Sequence, residues 1–344
     1  MAGKSFLVIR LSSLGDIVHA LPAVSALAQM PSAGAVDWLI ETRYRILLNG
    51  NPYLRNVIEI DTLGTGVKRW SLDSLKSMLN SVSVLRGQRY DAVVDLQSLL
   101  KTAVLTRCAR AQERVGFAGD WAREPMAGIF YTQKLRIPRQ VHVIQANLSL
   151  IESLGAQTGR WEFPLPDGTE TREGIENKLR ELGVREYMIV NPGGGWAAKR
   201  WSPENYGELV GRLGKDSSLP IVLSHGPGEE QLVHDVLQRA GTSNAVTFPT
   251  DILQFIALAR RAKLFIGTDT GPLHLSTALG TPVVGIYGPT DPATHGPFSP
   301  ADIVLRNSIR TSHSRRGRDS ATIEGVSVEA VLEAVRERLA GIQA

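Results

Sequence analysis

Phe6-Leu7-Val8-Ile9-Arg10-Leu11-Ser12-Ser13-Leu14-Gly15-Asp16 begins with an apolar run and ends in a polar turn with a Gly-Asp pair. From Ile17 to Met30 apolar residues recur at helical spacing, with Pro22 in the early turns. The reading is strand, turn, helix: Phe6–Leu11 extended, Arg10 to Asp16 turning into the helix. The pattern repeats. Asp37–Glu41, Val57–Ile60 and Ala92–Leu96 are further short apolar runs, and the last leads into a helix through Lys101 and Cys108. Strands alternating with helices predict a parallel sheet covered on both faces.

Ala156–Glu173, with Pro164, Pro166 and Gly168, reads as an interdomain linker. The alternation then restarts. Strands are predicted at Tyr187–Asn191, Pro220–Ser224, Leu264–Gly267 and Pro282–Tyr287. Helices are predicted from Ser202-Pro203 onward and over Glu229–Ala240, Leu253–Arg261, Pro272–Leu279 and Val326–Ala340, with Ser202 as N-cap and Pro203 at the first helical position. The expected organisation is α/β throughout: one domain over residues 1–165, a second over 175–325, and a terminal helical segment over 326–344.

Length and composition agree with this. The chain has 344 residues, 43% hydrophobic and 21% charged, which is ordinary for a folded protein and unlike a disordered one. The 33 Gly and 18 Pro show no three-residue period, which excludes collagen. Cys108 is the one cysteine, so neither an intrachain disulfide nor a thiolate zinc site is available. The histidines form no H-E-x-x-H pattern, and no metal site is expected. The N-terminal apolar run is too short for a signal-peptide core. Thr270 to Thr290 lacks Asp, Glu, Lys and Arg apart from its neighbours, yet its Pro and Gly make it a poor membrane helix. The expectation is a cytoplasmic chain without a membrane span. A net charge of +4 permits an anionic partner without demanding one, and no nucleic-acid motif is present.

Several turns carry residues suited to chemistry. In Gly267-Thr268-Asp269-Thr270-Gly271-Pro272-Leu273-His274 a strand ends and a helix begins. Helix-start N–H groups suit an anion such as pyrophosphate, although Asp269 or Thr270 would equally serve as a plain cap. Tyr287-Gly288-Pro289-Thr290-Asp291-Pro292 is a second polar turn after a strand. Asn191-Pro192-Gly193-Gly194-Gly195 matches the dinucleotide fingerprint poorly, because the next helix starts only near Ser202. Lys199 and Arg200 suit a phosphate or a solvated surface alike. Glu229 and Glu230 suit ribose hydroxyls or simply a helix start. Asp16 suits a general base or a cap. Basic residues also gather at Lys68-Arg69, at Arg107 and Arg110, and at Arg310, Arg315, Arg316 and Arg318.

Six segments in order resemble glycosyltransferase family 9, the ADP-heptose:lipopolysaccharide heptosyltransferases, and most of all its heptosyltransferase I branch. They are Ile9–Ile17, Asp95–Lys101, Ala122–Pro125, Lys199–Glu204, Asp269–His274 and Tyr287–Pro292. The resemblance implies the GT-B fold: two Rossmann-like domains facing a central cleft, the first for acceptor and the second for ADP-sugar, with 326–344 expected to pack back on the first domain. It implies inverting, metal-independent transfer of heptose from ADP-heptose to Kdo of Kdo2-lipid A. No cofactor is implied, and the setting would be the cytoplasmic face of the inner membrane, with the enzyme peripheral on that surface. By the same resemblance Asp16 would be the base and Lys199 would meet the leaving diphosphate. Gly194, Gly195, Glu229, Asp269, Thr270, Gly271 and His274 would bind donor. Ser13, Lys68, Arg69, Gln97, Lys101 and Arg123 would bind acceptor. Two departures stand out: Ser98 where the family usually has Gly, and no hydroxyl residue in the turn Gly193–Gly195. Rival readings are a related transferase using another nucleotide sugar or acting on the second core heptose, and a non-catalytic nucleotide-sugar binder. The poor fingerprint at Gly193 argues against a nicotinamide oxidoreductase.

Overall fold

The computed structural model describes residues 3–61, 82–138, 140–195, 197–307 and 321–343. The chain divides into two compact units, Met1–Pro166 and Asp167–Ala344. The first contains strands β1 (Lys4–Ile9), β2 (Ala33–Glu41), β3 (Asn56–Ile60), β4 (Arg89–Asp95), β5 (Arg110–Phe117) and β6 (Gln133–Leu135). Its longer helices are α1 (Leu14–Ala28), α2 (Leu100–Cys108) and α3 (Val143–Glu152). The second contains β7 (Met188–Asn191), β8 (Ile221–His225), β9 (Ala245–Pro249), β10 (Leu264–Thr268), β11 (Val283–Tyr287) and β12 (Ile303–Arg306). Its longer helices are α4 (Thr169–Glu181), α5 (Pro203–Asp216), α6 (Glu230–Ala240), α7 (Ile252–Ala259), α8 (Gly271–Ala278) and α9 (Val328–Gln343).

Each unit folds around one six-stranded sheet, and every described strand pair is parallel. The orders are β3-β2-β1-β4-β5-β6 and β12-β11-β10-β7-β8-β9. Counted from its own first strand, the second sheet has the same order as the first, 3-2-1-4-5-6. Both are Rossmann-like. In this order the chain builds outward from the first strand to the third, then crosses back to lay the fourth on the first strand's other side, so the crossover helices diverge beside the first strand and leave a crevice at the strands' carboxyl ends. The reversal lies between β1 and β4 in one unit and between β7 and β10 in the other. In the central strands β1 and β10, Leu7, Val8, Ile9, Leu264, Phe265 and Ile266 have no exposed surface, as a sheet covered on both faces requires.

Two expectations are corrected. The stretch Ala156–Glu173 is not wholly a linker, because α4 begins at Thr169 and buries Ile175 and Leu179, one turn apart, in the second unit. The segment 326–344 belongs to the second unit's core: Val328, Val331, Leu332 and Val335 pack there with Met188, Leu213, Val284 and Ile286. The reason is its apolar stripe at i, i+3, i+4 and i+7, which finds α5 and β11 beside it. Trp201 secures the approach, donating its indole N–H to the Val326 carbonyl at 3.0 Å from a fully buried position. Leu332→Ala is expected to cost about 2–5 kcal/mol. Urea unfolding followed by circular dichroism reads this as a lower midpoint, and an unchanged midpoint would mean α9 is not part of the core.

Candidate active site

At the first reversal point the turn after β1 delivers Asp16 to the third position of α1. Asp16 closes a capping box with Ser13: its Oδ2 accepts from the Ser13 N–H at 3.1 Å and from the Ser13 hydroxyl at 2.9 Å. Two guanidiniums converge on the same carboxylate. Arg10 approaches Oδ1 at 2.5 Å, and Arg123 donates to Oδ1 and Oδ2 at 2.9 and 3.0 Å. Arg10 is buried and also donates to the Leu96 carbonyl at the end of β4. Burial lowers its pKa to about 10 despite the Asp16 charge, so it stays cationic at neutral pH.

The turn after β4 is built on Asp95. This fully buried carboxylate accepts from the N–H groups of Gln97 and Ser98, each at 2.9 Å, and from the Tyr131 hydroxyl at 2.7 Å. Burial raises its pKa, and these donors oppose that rise. Burial, reinforced by Asp95, raises the Tyr131 phenol. Ser98 takes a left-handed backbone with φ of 51°, a conformation glycine adopts without cost. That is the physical reason for glycine at this position in the family the sequence resembles. Here the serine hydroxyl accepts from the Phe117 N–H at 3.2 Å instead. Gln97 is buried, and its amide oxygen accepts from the Leu11 N–H at 2.9 Å, so it braces the turn after β1. Lys101 stands half-exposed, 3.8 Å from the buried Glu41 carboxylate.

At the second reversal point, Lys199, Asp269 and His274 form one cluster. Asp269 is buried, with Lys199 Nζ on its Oδ2 and His274 Nε2 3.0 Å from its Oδ1. Lys199 Nζ also donates to the Asp269 carbonyl at 3.3 Å. Burial alone would raise the carboxyl, but the His274 hydrogen bond and the Lys199 charge outweigh it and hold the pKa far below its ordinary 3.8. Thr270 is the N-cap of α8, and its hydroxyl is turned back to the Thr268 carbonyl at 3.1 Å. The N–H groups at the start of α8 therefore face outward from the strand end.

The glycine turn after β7 lies beside this cluster's strand. The Thr268 hydroxyl donates to the Gly193 carbonyl at 3.2 Å, and the Arg200 Nε to the Gly194 carbonyl at 2.8 Å. A Cβ on Gly193 would collide with the Glu229 carboxylate, so this glycine is what admits Glu229. Glu229 also accepts from the Gly226 N–H at 3.0 Å. A Cβ on Gly195 would meet nothing.

The predicted residues thus fall into two groups at equivalent sheet positions. Ser13, Asp16 and Arg123 are in direct contact, with Gln97 and Lys101 at the same sheet edge. Lys199, Asp269 and His274 are in direct contact, with Gly193, Gly194, Gly195, Glu229, Thr270 and Gly271 around them. Lys68, Arg69, Arg310, Arg315, Arg316 and Arg318 lie outside the described residues. Arg10 was not singled out from the sequence, where an arginine closing an apolar strand reads as a solvated end. Asp269→Asn is expected to destabilise the protein by about 3–5 kcal/mol at pH 7, because it leaves the largely buried Lys199 ammonium without its anion. A lowered carboxylate pKa contributes stability that is present above the unfolded value and is lost as pH falls below it. The gap between variant and wild type in urea midpoint should therefore shrink between pH 4 and pH 2; a constant gap would refute the linkage.

Comparison with known proteins shows the family. Residues 79–323 match the family model for glycosyltransferase family 9 (heptosyltransferase). Lipopolysaccharide heptosyltransferase 1 of Escherichia coli K12 is 30% identical over 306 residues, covering 87% of this chain and 92% of that protein. Lipopolysaccharide heptosyltransferase 3 of the same strain is 26% identical over 282 residues, 80% of each chain. The structure of E. coli heptosyltransferase WaaC with ADP superposes with a TM-score of 0.77 at 26% identity, covering 97% of this chain and 99% of that one.

Proposed function

The chain belongs to glycosyltransferase family 9 and has the GT-B fold, and from that premise we propose that it transfers heptose from ADP-heptose to Kdo of Kdo2-lipid A, with inversion and without a metal. The observation that carries the reading is the pairing of chemistry with topology. A carboxylate stands at one sheet's reversal point, and a lysine with a bare helix start stands at the other's. The acceptor hydroxyl gives its proton to Asp16, and its oxygen bonds to the anomeric carbon of the donor heptose. The bond from that carbon to the diphosphate breaks, its electron pair leaving on ADP. Lys199 and the N–H groups of Thr270 and Gly271 meet the charge that develops on the diphosphate. Glu229 takes the ribose hydroxyls, and Asp269 and His274 line the heptose. Arg123 and Lys101, with Lys68 and Arg69, meet the anionic acceptor. The similarity to heptosyltransferase 3 favours a second reading, transfer to another sugar of the lipopolysaccharide core.

Surface chemistry supports a site of action at a membrane. No described helix is long and apolar enough to cross a membrane. Leu100 and Val104 on α2, with Met126 and Ile129 on the short helical turn packed against it, are exposed; Ile129 reaches 73% and Met126 63%. Arg107 continues the α2 face one turn beyond Val104. Apolar side chains beside basic ones suit the interface of an anionic bilayer, in keeping with a peripheral enzyme on the inner membrane's cytoplasmic face.

Two measurements test the proposal. Purified protein mixed with ADP-heptose and de-acylated Kdo2-lipid A should release ADP and add one heptose to the acceptor mass. Asp16→Asn should lower turnover by about 10²–10⁴-fold, and full turnover in that variant would remove Asp16 from the chemistry. A gain of mass only on an acceptor already carrying heptose would favour the second reading. Separately, Met126→Glu with Ile129→Glu should abolish co-flotation with phosphatidylglycerol vesicles while leaving transfer to the soluble acceptor intact; unchanged flotation would place membrane contact elsewhere.

A further inference from the structure

Among the described residues four donor atoms reach the Asp16 carboxylate: one Arg10 nitrogen on Oδ1, one Arg123 nitrogen shared between Oδ1 and Oδ2, and the Ser13 N–H and hydroxyl on Oδ2. A carboxylate offers about four lone-pair directions. An incoming hydroxyl therefore finds no acceptor position until a donor withdraws. The three donors differ in how freely they can do so. Arg10 is 3% exposed and fastened to the Leu96 carbonyl. Ser13 sits in the same turn, where its N–H stays whatever binds. Arg123 comes from a loop 107 residues away, and its side chain is 34% exposed. The other half-exposed cation of this sheet edge, Lys101, is likewise turned onto a buried acid, Glu41.

We propose that Arg123 is a positioning residue that restrains Asp16 until acceptor binds. One nitrogen of its guanidinium holds both carboxylate oxygens. An anionic group on the acceptor draws the guanidinium away, and the reacting hydroxyl takes the vacated position. The hydroxyl proton then passes to Asp16 as its oxygen bonds to the anomeric carbon and the diphosphate departs with the electron pair. Binding of the correct, acidic acceptor and activation of the base become one event, and a water molecule alone cannot displace the guanidinium to start donor hydrolysis. This rests on the reading of Asp16 as base.

The groups facing Asp16 set what a titration will report. They are Arg10 from the end of β1, Arg123 from the loop after β5, and the Tyr44 phenol, raised by burial and in small part by Asp16. His19 follows one turn along α1, its ring 5.8 Å from that of His142. Asp95 acts on Arg10 from the turn after β4. Of these, only Arg123 is both charged and displaceable.

The experiment compares wild type, Arg123→Gln and Arg123→Lys on de-acylated Kdo2-lipid A and on the same acceptor with its Kdo carboxyls reduced to alcohols. In wild type, kcat should fall about tenfold or more on the reduced acceptor. In Arg123→Gln, KM for the native acceptor should rise while kcat becomes equal on the two acceptors. Removing a cation makes a carboxylate easier to protonate, so the acid limb of kcat/KM should move up by about one pH unit in Arg123→Gln and stay near wild type in Arg123→Lys. A residue that merely holds the acceptor would leave that limb in place. Equal wild-type kcat on both acceptors, or an unmoved limb, overturns the proposal. If wild type transfers no sugar at all, the proposed function falls, and the restraint is then read directly. Carbon-13 NMR of Asp16 Cγ should titrate at higher pH in Arg123→Gln than in wild type, and coincident titrations would overturn it.

Discussion

The contact on which the first unit's site depends is made by Arg10. One guanidinium nitrogen holds the Leu96 carbonyl and another holds Asp16, so a single buried side chain ties the ends of β1 and β4 to the start of α1. These are the strands that flank the reversal point. A guanidinium there is costly to desolvate, and the lowering of its pKa to about 10 expresses that cost. Asp16 offsets the cost as its counter-ion. Each charge is therefore a condition for the other, and breaking such a pair is worth several kcal/mol because the survivor stays buried alone.

The second unit solves the same problem with other residues. Its reversal point also holds a buried carboxylate, Asp269, between two nitrogen bases. The chemical outcome is different. Asp16 is buried too, but one of its described partners, Arg123, is itself 34% exposed. Asp269 is 4% exposed, and its two partners come from the turn after β7 and from its own helix. On the proposed mechanism the first carboxylate exchanges a donor for a hydroxyl. The second is set up to remain anionic and to fix Lys199 where a diphosphate would need it. One topology, used twice in one chain, thus places a carboxylate held by donors at the reversal point of each unit.

Much of this was legible in the sequence because apolar runs mark central strands and the polar turns after them mark the ligand edge. β1, β4, β7, β8, β10 and β11 were all found this way. β5 was not, because Arg110-Ala111-Gln112-Glu113-Arg114 presents mostly exposed, charged positions and only Val115–Phe117 is apolar. β9 and β12 are short and half-exposed, and the first turn of α4 is a polar, charged stretch that reads as linker up to Glu173, before its buried Ile175 and Leu179. At the site, Asp16, Lys199, Asp269 and His274 announced themselves through turn chemistry and family resemblance. Arg10 did not, since nothing in an isolated strand end tells a solvated arginine from one that bridges two strands. Gln97 was visible as a residue but not in its role as a brace, which depends on Leu11, its partner across 86 residues.

Ser98 shows how far such a brace reaches. A serine in the left-handed region costs of order 1 kcal/mol relative to glycine, yet the turn adopts it. Asp95 holds the Ser98 N–H, the Ser98 hydroxyl holds Phe117, and the Ser98 carbonyl accepts from the Glu124 N–H at 3.1 Å. Glu124 returns the link by accepting from the Leu100 N–H at 2.5 Å. The residue next to Glu124 is Arg123. Its backbone neighbour is therefore anchored on the turn after β4, while its side chain reaches Asp16. A guanidinium on a fixed stem can swing between two anions without any movement of the loop that carries it. The buried serine in this way helps to hold the loop from which that guanidinium reaches Asp16.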